Sequence, residues 1–210
     1  MKDNGLLTFQ VSTLLLSSRP LAPVDAVLVH ARSFGGDDDG IFRIVGQANS
    51  LATVVVVNGS DGRSKDDPTK MIWPGADNYA AALSAWGVRD VIRSEPATHT
   101  REESMKFTDL IEKMEWKRVM VVNGPHYLLR TMLGALNEVR KRKLDVKLFP
   151  VAPGMLDWTK PVNGTQGSDP AARFLQIAAE FKRVEEYRVK YPDNFSTIEE
   201  LIEYLTGLNG

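Results

Sequence analysis

Short β-branched runs alternate with longer stretches of helical periodicity through most of this 210-residue chain. Ala26-Val27-Leu28-Val29 and Thr53-Val54-Val55-Val56-Val57 are continuous apolar runs. Asp90-Val91-Ile92 is weaker, Arg118-Val119-Met120-Val121-Val122 is strong, and Val146-Lys147-Leu148-Phe149 closes the series. Strands that are apolar throughout and separated by helices predict a mainly parallel sheet of about five strands, covered on both faces. The expected fold class is therefore α/β, a Rossmann-like three-layer sandwich. Helices are predicted at 41–51, 76–86, 101–114 and 126–142.

Local signals agree with those spans. Gly87 stands where a helix C-terminus favours glycine. Thr100-x-x-Glu103 reads as a capping box, Pro125 suits a first helical position, and Arg140-Lys141-Arg142-Lys143 places positive charge at a helix C-terminus.

The two ends read differently. Leu6 to Leu16 is an apolar run broken by polar residues, too short and too polar to span a bilayer and poor as a signal peptide. It is expected to form an amphipathic first element packed on the domain. After Pro150 the regular alternation stops. Residues 151–168 carry Gly and Pro without a clear period and predict a long loop. Asp169-Pro170 is expected to open a helix continuing through 173–190, and Ser196-x-x-Glu199 to cap a last helix ending near Leu205. The organisation read here is an α/β domain over 1–150 and a helical extension over 151–210.

Composition narrows the function classes. A formal charge of −1, with 43% hydrophobic and 25% charged residues, is that of an ordinary globular domain and gives no reason to expect nucleic acid as a partner. The absence of cysteine excludes disulfides, thiolate nucleophiles and cysteine-based zinc sites. The three histidines lie in three separate loops and lack zinc-ligand spacing, so no metal site is expected.

Candidate chemistry gathers in the loops that follow the predicted strands, where α/β proteins bind ligands. Asn58-Gly59-Ser60-Asp61-Gly62-Arg63-Ser64 follows the second strand. Gly59 allows backbone amides to turn toward an anion, and Arg63 offers a bidentate contact. The loop has neither the Walker ending nor GxGxxG spacing. Arg32, after the first strand, offers a second cation, and the Asp37-Asp38-Asp39-Gly40 run beyond it reads as a solvated acidic turn. Asn123-Gly124-Pro125-His126 follows the fourth strand. His126 falls in a first helical turn, where the dipole favours a neutral imidazole able to accept a proton, and Arg130 shares its face. Glu95, Thr98, Thr100 and Glu102 form a further polar cluster, in which a carboxylate could orient a hydroxyl or act as an acid or base.

At these residues the chain resembles the YdcF-like family, an α/β domain also found in SanA- and ElyC-type bacterial envelope proteins. Ala85-Trp86-Gly87-Val88 precedes the acidic Glu95. Ala97-Thr98-His99-Thr100-Arg101-Glu102-Glu103 is similar to the family's middle motif, keeping its Thr as Thr100 and its Glu as Glu102. Asn123-Gly124-Pro125-His126-x-x-x-Arg130 is similar to its last motif. The likeness runs over about residues 24–152. His30 stands where the family usually has glycine, and His99 and Glu103 each replace an asparagine. The resemblance implies a pocket at the C-terminal sheet edge and, without a membrane anchor, the cytoplasmic branch of the family.

The expected function is the binding of a small anionic metabolite, nucleotide-like or phosphorylated. Arg32, Arg63 and Arg130 would hold the anion, while Gly59, Glu95, Thr98, Thr100 and Asn123 line the rest. Should the ligand be turned over by transfer or hydrolysis, His126 is the expected base and Glu102 its partner. Two alternatives remain open: a non-catalytic module binding S-adenosylmethionine or a nucleotide, and an enzyme acting on envelope precursors. No membrane partner is expected, and self-association is left open.

Overall fold

The computed structural model describes residues 4–18, 20–30, 38–48, 52–154, 156–162 and 170–208. Five strands, β1 (Val24–Val29), β2 (Ala52–Val57), β3 (Val91–Arg93), β4 (Arg118–Val122) and β5 (Lys147–Val151), form an all-parallel sheet in the order β3-β2-β1-β4-β5. The predicted α/β sandwich is the fold observed. Helix α1 (Asn4–Ser17) precedes β1, and α2 (Asp38–Ala48), α3 (Ala76–Ala85), α4 (Thr100–Lys113) and α5 (Pro125–Lys141) link the strands in turn.

Period-two alternation divides the sheet's side chains between two cores. Val27, Val29, Val55, Val57 and Met120 meet α2 and α3 on one face. Ala26, Leu28, Val56, Val119 and Leu148 meet α1, α4 and α5 on the other. The chain therefore winds from β1 to β3 over one face, then returns to β4 and β5 over the opposite one. The reversal falls between β1 and β4, adjacent parallel strands pairing Ala26 with Val119 through Val29 with Val122. At such a switch point the loops leave to opposite faces and open a crevice at the strands' carboxyl ends.

The C-terminal region joins the same core. Pro161–Val162 (β6) and Ala171–Ala172 (β7) form a two-residue antiparallel ladder, and α6 (Arg173–Lys190) starts after it. The helix thus begins beyond Pro170, because Ala171 and Ala172 are already paired to β6; Asp169 lies outside the described residues. Helix α7 (Ile198–Leu208) follows and buries Ile198, Leu201 and Leu205 in the core beside α1 and α5. Its cap sits one residue later than expected. Thr197 Oγ1 accepts from the Glu200 amide at 3.0 Å, and the Glu200 carboxylate accepts from the Thr197 amide at 2.6 Å. Both registers satisfy the capping-box pattern, and the inward stripe of Ile198, Leu201 and Leu205 selects this one.

Helix α1 departs from the amphipathic expectation. Val11 and Leu15 are buried in the core, yet Leu6, Phe9 and Leu16 are exposed on the outer side. Among the described residues no helix is long and apolar enough to cross a membrane.

Candidate functional site at the carboxyl edge of the sheet

The carboxyl ends of the strands are level and polar. Beyond β1, β4 and β3, one more residue extends the ladder: the His30 amide donates to Val122 O at 3.2 Å, Asn123 to Val151 O at 3.2 Å, and Ser94 to Val57 O at 2.9 Å. His30, Asn58, Ser60, Ser94 and Asn123 are all buried along this rim.

At the centre of the rim lies a pair that the sequence reading did not select. His30 is only 1% exposed, and its Nδ1 lies 2.8 Å from Oε2 of the buried Glu103. Its ring meets Phe107 edge-on at 4.9 Å. Alternation explains the His30 orientation, since Ala26, Leu28 and His30 share the face covered by α4. Helical spacing explains Glu103, four residues before Phe107 and eight before Ile111 on the inward stripe of α4. A carboxylate at Nδ1 favours the tautomer with its proton on Nδ1, which leaves Nε2 as the basic nitrogen.

The cap of α4 determines which of two adjacent glutamates turns inward. The N-cap is His99, whose Nδ1 accepts from the Glu102 amide at 3.2 Å, and not Thr100 as the capping-box pattern implied. Glu102 reaches back to Thr98, accepting from its amide and its hydroxyl, each at 2.8 Å. The Thr98 amide bond is the main influence holding the Glu102 carboxyl below the usual carboxylate range; the Thr98 hydroxyl, His99 and Lys65 add to it against partial burial. Thr100 is the first residue of the helix, and its carbonyl accepts from Ser104 Oγ at 3.0 Å. Glu95 is exposed on the loop before it. Arg101, next to Glu102, has its Nε buried without a hydrogen-bond partner among the described residues.

The loop after β2 is held tightly to the loop after β3. The Asn58 side-chain amide donates to Ala97 O at 2.9 Å while its oxygen accepts from the Ala97 amide at 3.0 Å. A Cβ on Gly59 would overlap the Ser94 carbonyl oxygen, so glycine is required here for close packing. Arg63 is half-exposed and turned to its own loop, donating to Pro68 O at 2.8 Å, with Asp61 3.4 Å away.

The loop after β4 is equally committed. The Asn123 side chain donates to Thr131 Oγ1 at 2.9 Å and accepts from the Gly124 amide at 2.8 Å, closing the first turns of α5. His126 is buried beside Tyr127, with ring centroids 4.1 Å apart. It borders a cavity of about 10 Å³ shared with Ser12 and Leu16 of α1 and Ile177 and Glu180 of α6, about the room one water needs. Arg130 is buried, 2.7 Å from Glu180, with its guanidinium 5.9 Å from the Tyr187 ring centroid. Arg183 also donates to Glu180 at 2.9 Å. Burial pushes the Glu180 carboxyl up, against the pull of both arginines.

The expected residues therefore separate into groups. Glu102, Thr98 and Thr100 sit together at the start of α4, and Gly59 and Asn123 belong to the rim. His126 and Arg130 face α1 and α6, Arg63 serves its own loop, and Arg32 lies outside the described residues. An open cleft of about 390 Å³ is found at the opposite sheet edge, beside Trp116, Lys117 and Asp145. Among the described residues no histidine, aspartate and glutamate cluster suits a metal ion. No protein-family model matches the chain, and no curated protein matches it.

Proposed function

We propose that this is a YdcF-like protein that binds a small anionic metabolite, nucleotide-like or phosphorylated, in the crevice between the carboxyl ends of β1 and β4. The observation that carries this reading is the buried His30–Glu103 pair at the reversal of strand order. A histidine and a carboxylate removed from water at a switch point are a costly arrangement for packing alone. The amino ends of α4 and α5 both open at this edge, so their amides and dipoles favour negative charge. Arg101 is the cation best suited to join them.

If the ligand is turned over, His30 replaces His126 as the base and Glu103 replaces Glu102 as its orienting partner. His126 faces α1 and α6, and Glu102 is occupied by Thr98. A second reading, an S-adenosylmethionine or nucleotide sensor, is favoured by the Arg130–Glu180 contact, which couples the helix starting at the crevice to α6. A cytoplasmic location accompanies either reading.

The test is a thermal-shift panel of AMP, inorganic phosphate, glucose 6-phosphate and S-adenosylmethionine. At least one compound should raise the melting temperature, and saturation at a hundredfold excess over Kd should contribute about 3 kcal/mol. A flat response across the panel would count against the proposal. Product formation separates an enzyme from a sensor.

A further inference from the structure

The open cleft at the amino edge of the sheet is built by the ends of two helices. Helix α4 stops with the Trp116 amide on Ile111 O at 3.1 Å and the Glu115 amide on Glu112 O at 3.2 Å. Helix α5 stops in the same way, with Leu144 on Val139 O at 3.0 Å and Lys143 on Arg140 O at 3.1 Å. Such a turn takes a left-handed residue, usually glycine, followed by an apolar one that packs back on its helix. Glu115 (φ 54°) and Lys143 (φ 55°) fill the left-handed positions, and among the described residues they are the only non-glycines with positive φ. The apolar followers, Trp116 and Leu144, line the cleft together with Ile111.

Around this apolar floor the walls are acidic. Glu112 and Glu115 arrive from α4 and Asp145 from the turn after α5, against one basic lining residue, Lys117. Lys117 lies 3.8 Å from Asp145, and Arg142 meets Glu112 at 3.3 Å, while Glu115 makes no ion pair among the described residues. Nearby basic side chains are turned elsewhere: Arg118 donates to Pro23 O, Lys141 to Asp193 O, and Arg140 meets Glu200. The carbonyl ends of α4 and α5 add partial negative charge, so a cation is favoured here.

We propose that this cleft binds a linear aliphatic polyamine, with its methylenes on Trp116 and Leu144 and its ammonium groups on Glu115 and Asp145. The volume of about 390 Å³ suits a small molecule better than a peptide segment. A metal ion fits less well, since no cluster of acidic or imidazole groups among the described residues could hold one. Carboxylates from two chain segments around a hydrocarbon floor match positive charges spaced along a hydrocarbon chain, which buries its methylenes and keeps its charges at the rim. The site lies at the opposite sheet edge from the proposed anion crevice and stands independently of it.

Calorimetric titration of the whole chain with spermidine in about 20 mM salt tests the assignment. The native chain should bind with a Kd below about 1 mM. Glu115→Gln and Asp145→Asn should each weaken binding about fivefold, and Lys117→Met should tighten it by removing the competing cation. Glu115→Gly should weaken binding as Glu115→Gln does while melting no lower than the native chain, because glycine suits the left-handed position. Glu185→Gln, the same loss of charge on the exposed side of α6, should leave affinity within about twofold of native. Absence of spermidine binding up to about 10 mM overturns the proposal, as does native affinity in both Glu115→Gln and Asp145→Asn. Equal weakening by Glu185→Gln overturns it too, since the attraction would then be diffuse, and so does displacement of spermidine by an equal concentration of magnesium.

Discussion

The carboxyl ends of β1 and β4 are neighbours in the sheet, but the buried basic groups associated with them meet acids of different origin. His30, at the end of β1, meets Glu103 of α4, inside the doubly wound core and at the carboxyl edge of the sheet. Arg130, one turn into the helix after β4, meets Glu180 of α6 and fastens the C-terminal region to the core. Burial and an acidic partner are common to both, so neither property alone marks out a functional group. The position of the partner does. An acid from α4 keeps its histidine at the carboxyl edge of the sheet, where the proposed ligand would bind, whereas an acid from an outer helix draws its arginine away.

The largest effect should come from separating the fastening pair. Arg130→Ala leaves Glu180 buried with Arg183 as its remaining cation, and urea denaturation should show a loss of about 3 kcal/mol. Arg130→Met combined with Glu180→Leu should recover most of it, because a well-packed apolar pair avoids the desolvation cost. A small loss in the single variant would break the contrast drawn here.

A second fastening point acts at the outer strand. Tyr204 of α7 accepts from the Leu148 amide at 2.5 Å, covering a free edge group of β5. Burial pushes its hydroxyl from 10.0 up to about 12. The folded state holds this proton more tightly, so the associated stability is complete below pH 10 and is lost as pH rises toward 12. Over that window the loss should be on the order of 2 kcal/mol, and Tyr204→Phe should remove this part of the alkaline slope.

On the crevice side, Glu103→Gln should cost about 1–2 kcal/mol, since His30 keeps a neutral acceptor, while weakening ligand binding far more than Arg130→Met does. Glu102→Gln should cost least, about 0.5–1 kcal/mol, as the loss of a helix-capping interaction. With its folded-state pKa lowered, the Glu102 contribution is present above the ordinary glutamate range and disappears as pH falls through the lowered value. The difference in melting temperature between native protein and this variant should therefore shrink on acidification.

Much of this contrast was legible in the chain, and its centre was not. Strand positions and the parallel sheet follow from continuous apolar runs, which are hard to satisfy in any other layer arrangement. The inward glutamate was hidden by the Thr100-x-x-Glu103 pattern, which accounts for Glu103 as a capping residue. The competing signal was its spacing to Phe107 and Ile111. His30 extends an alternating face, but pairing across 73 residues leaves no local trace. The use of Arg130 was equally invisible, because Glu180 stands on a separate helix far along the chain and no local spacing links the two.

Calorimetric titration of native, His30→Gln and His126→Gln proteins with the strongest binder among the four compounds bears most directly on the central claim. Native and His126→Gln proteins should bind within about threefold of each other, and His30→Gln should bind at least tenfold more weakly. Equal binding by all three, or loss confined to His126→Gln, would contradict a ligand crevice at the end of β1.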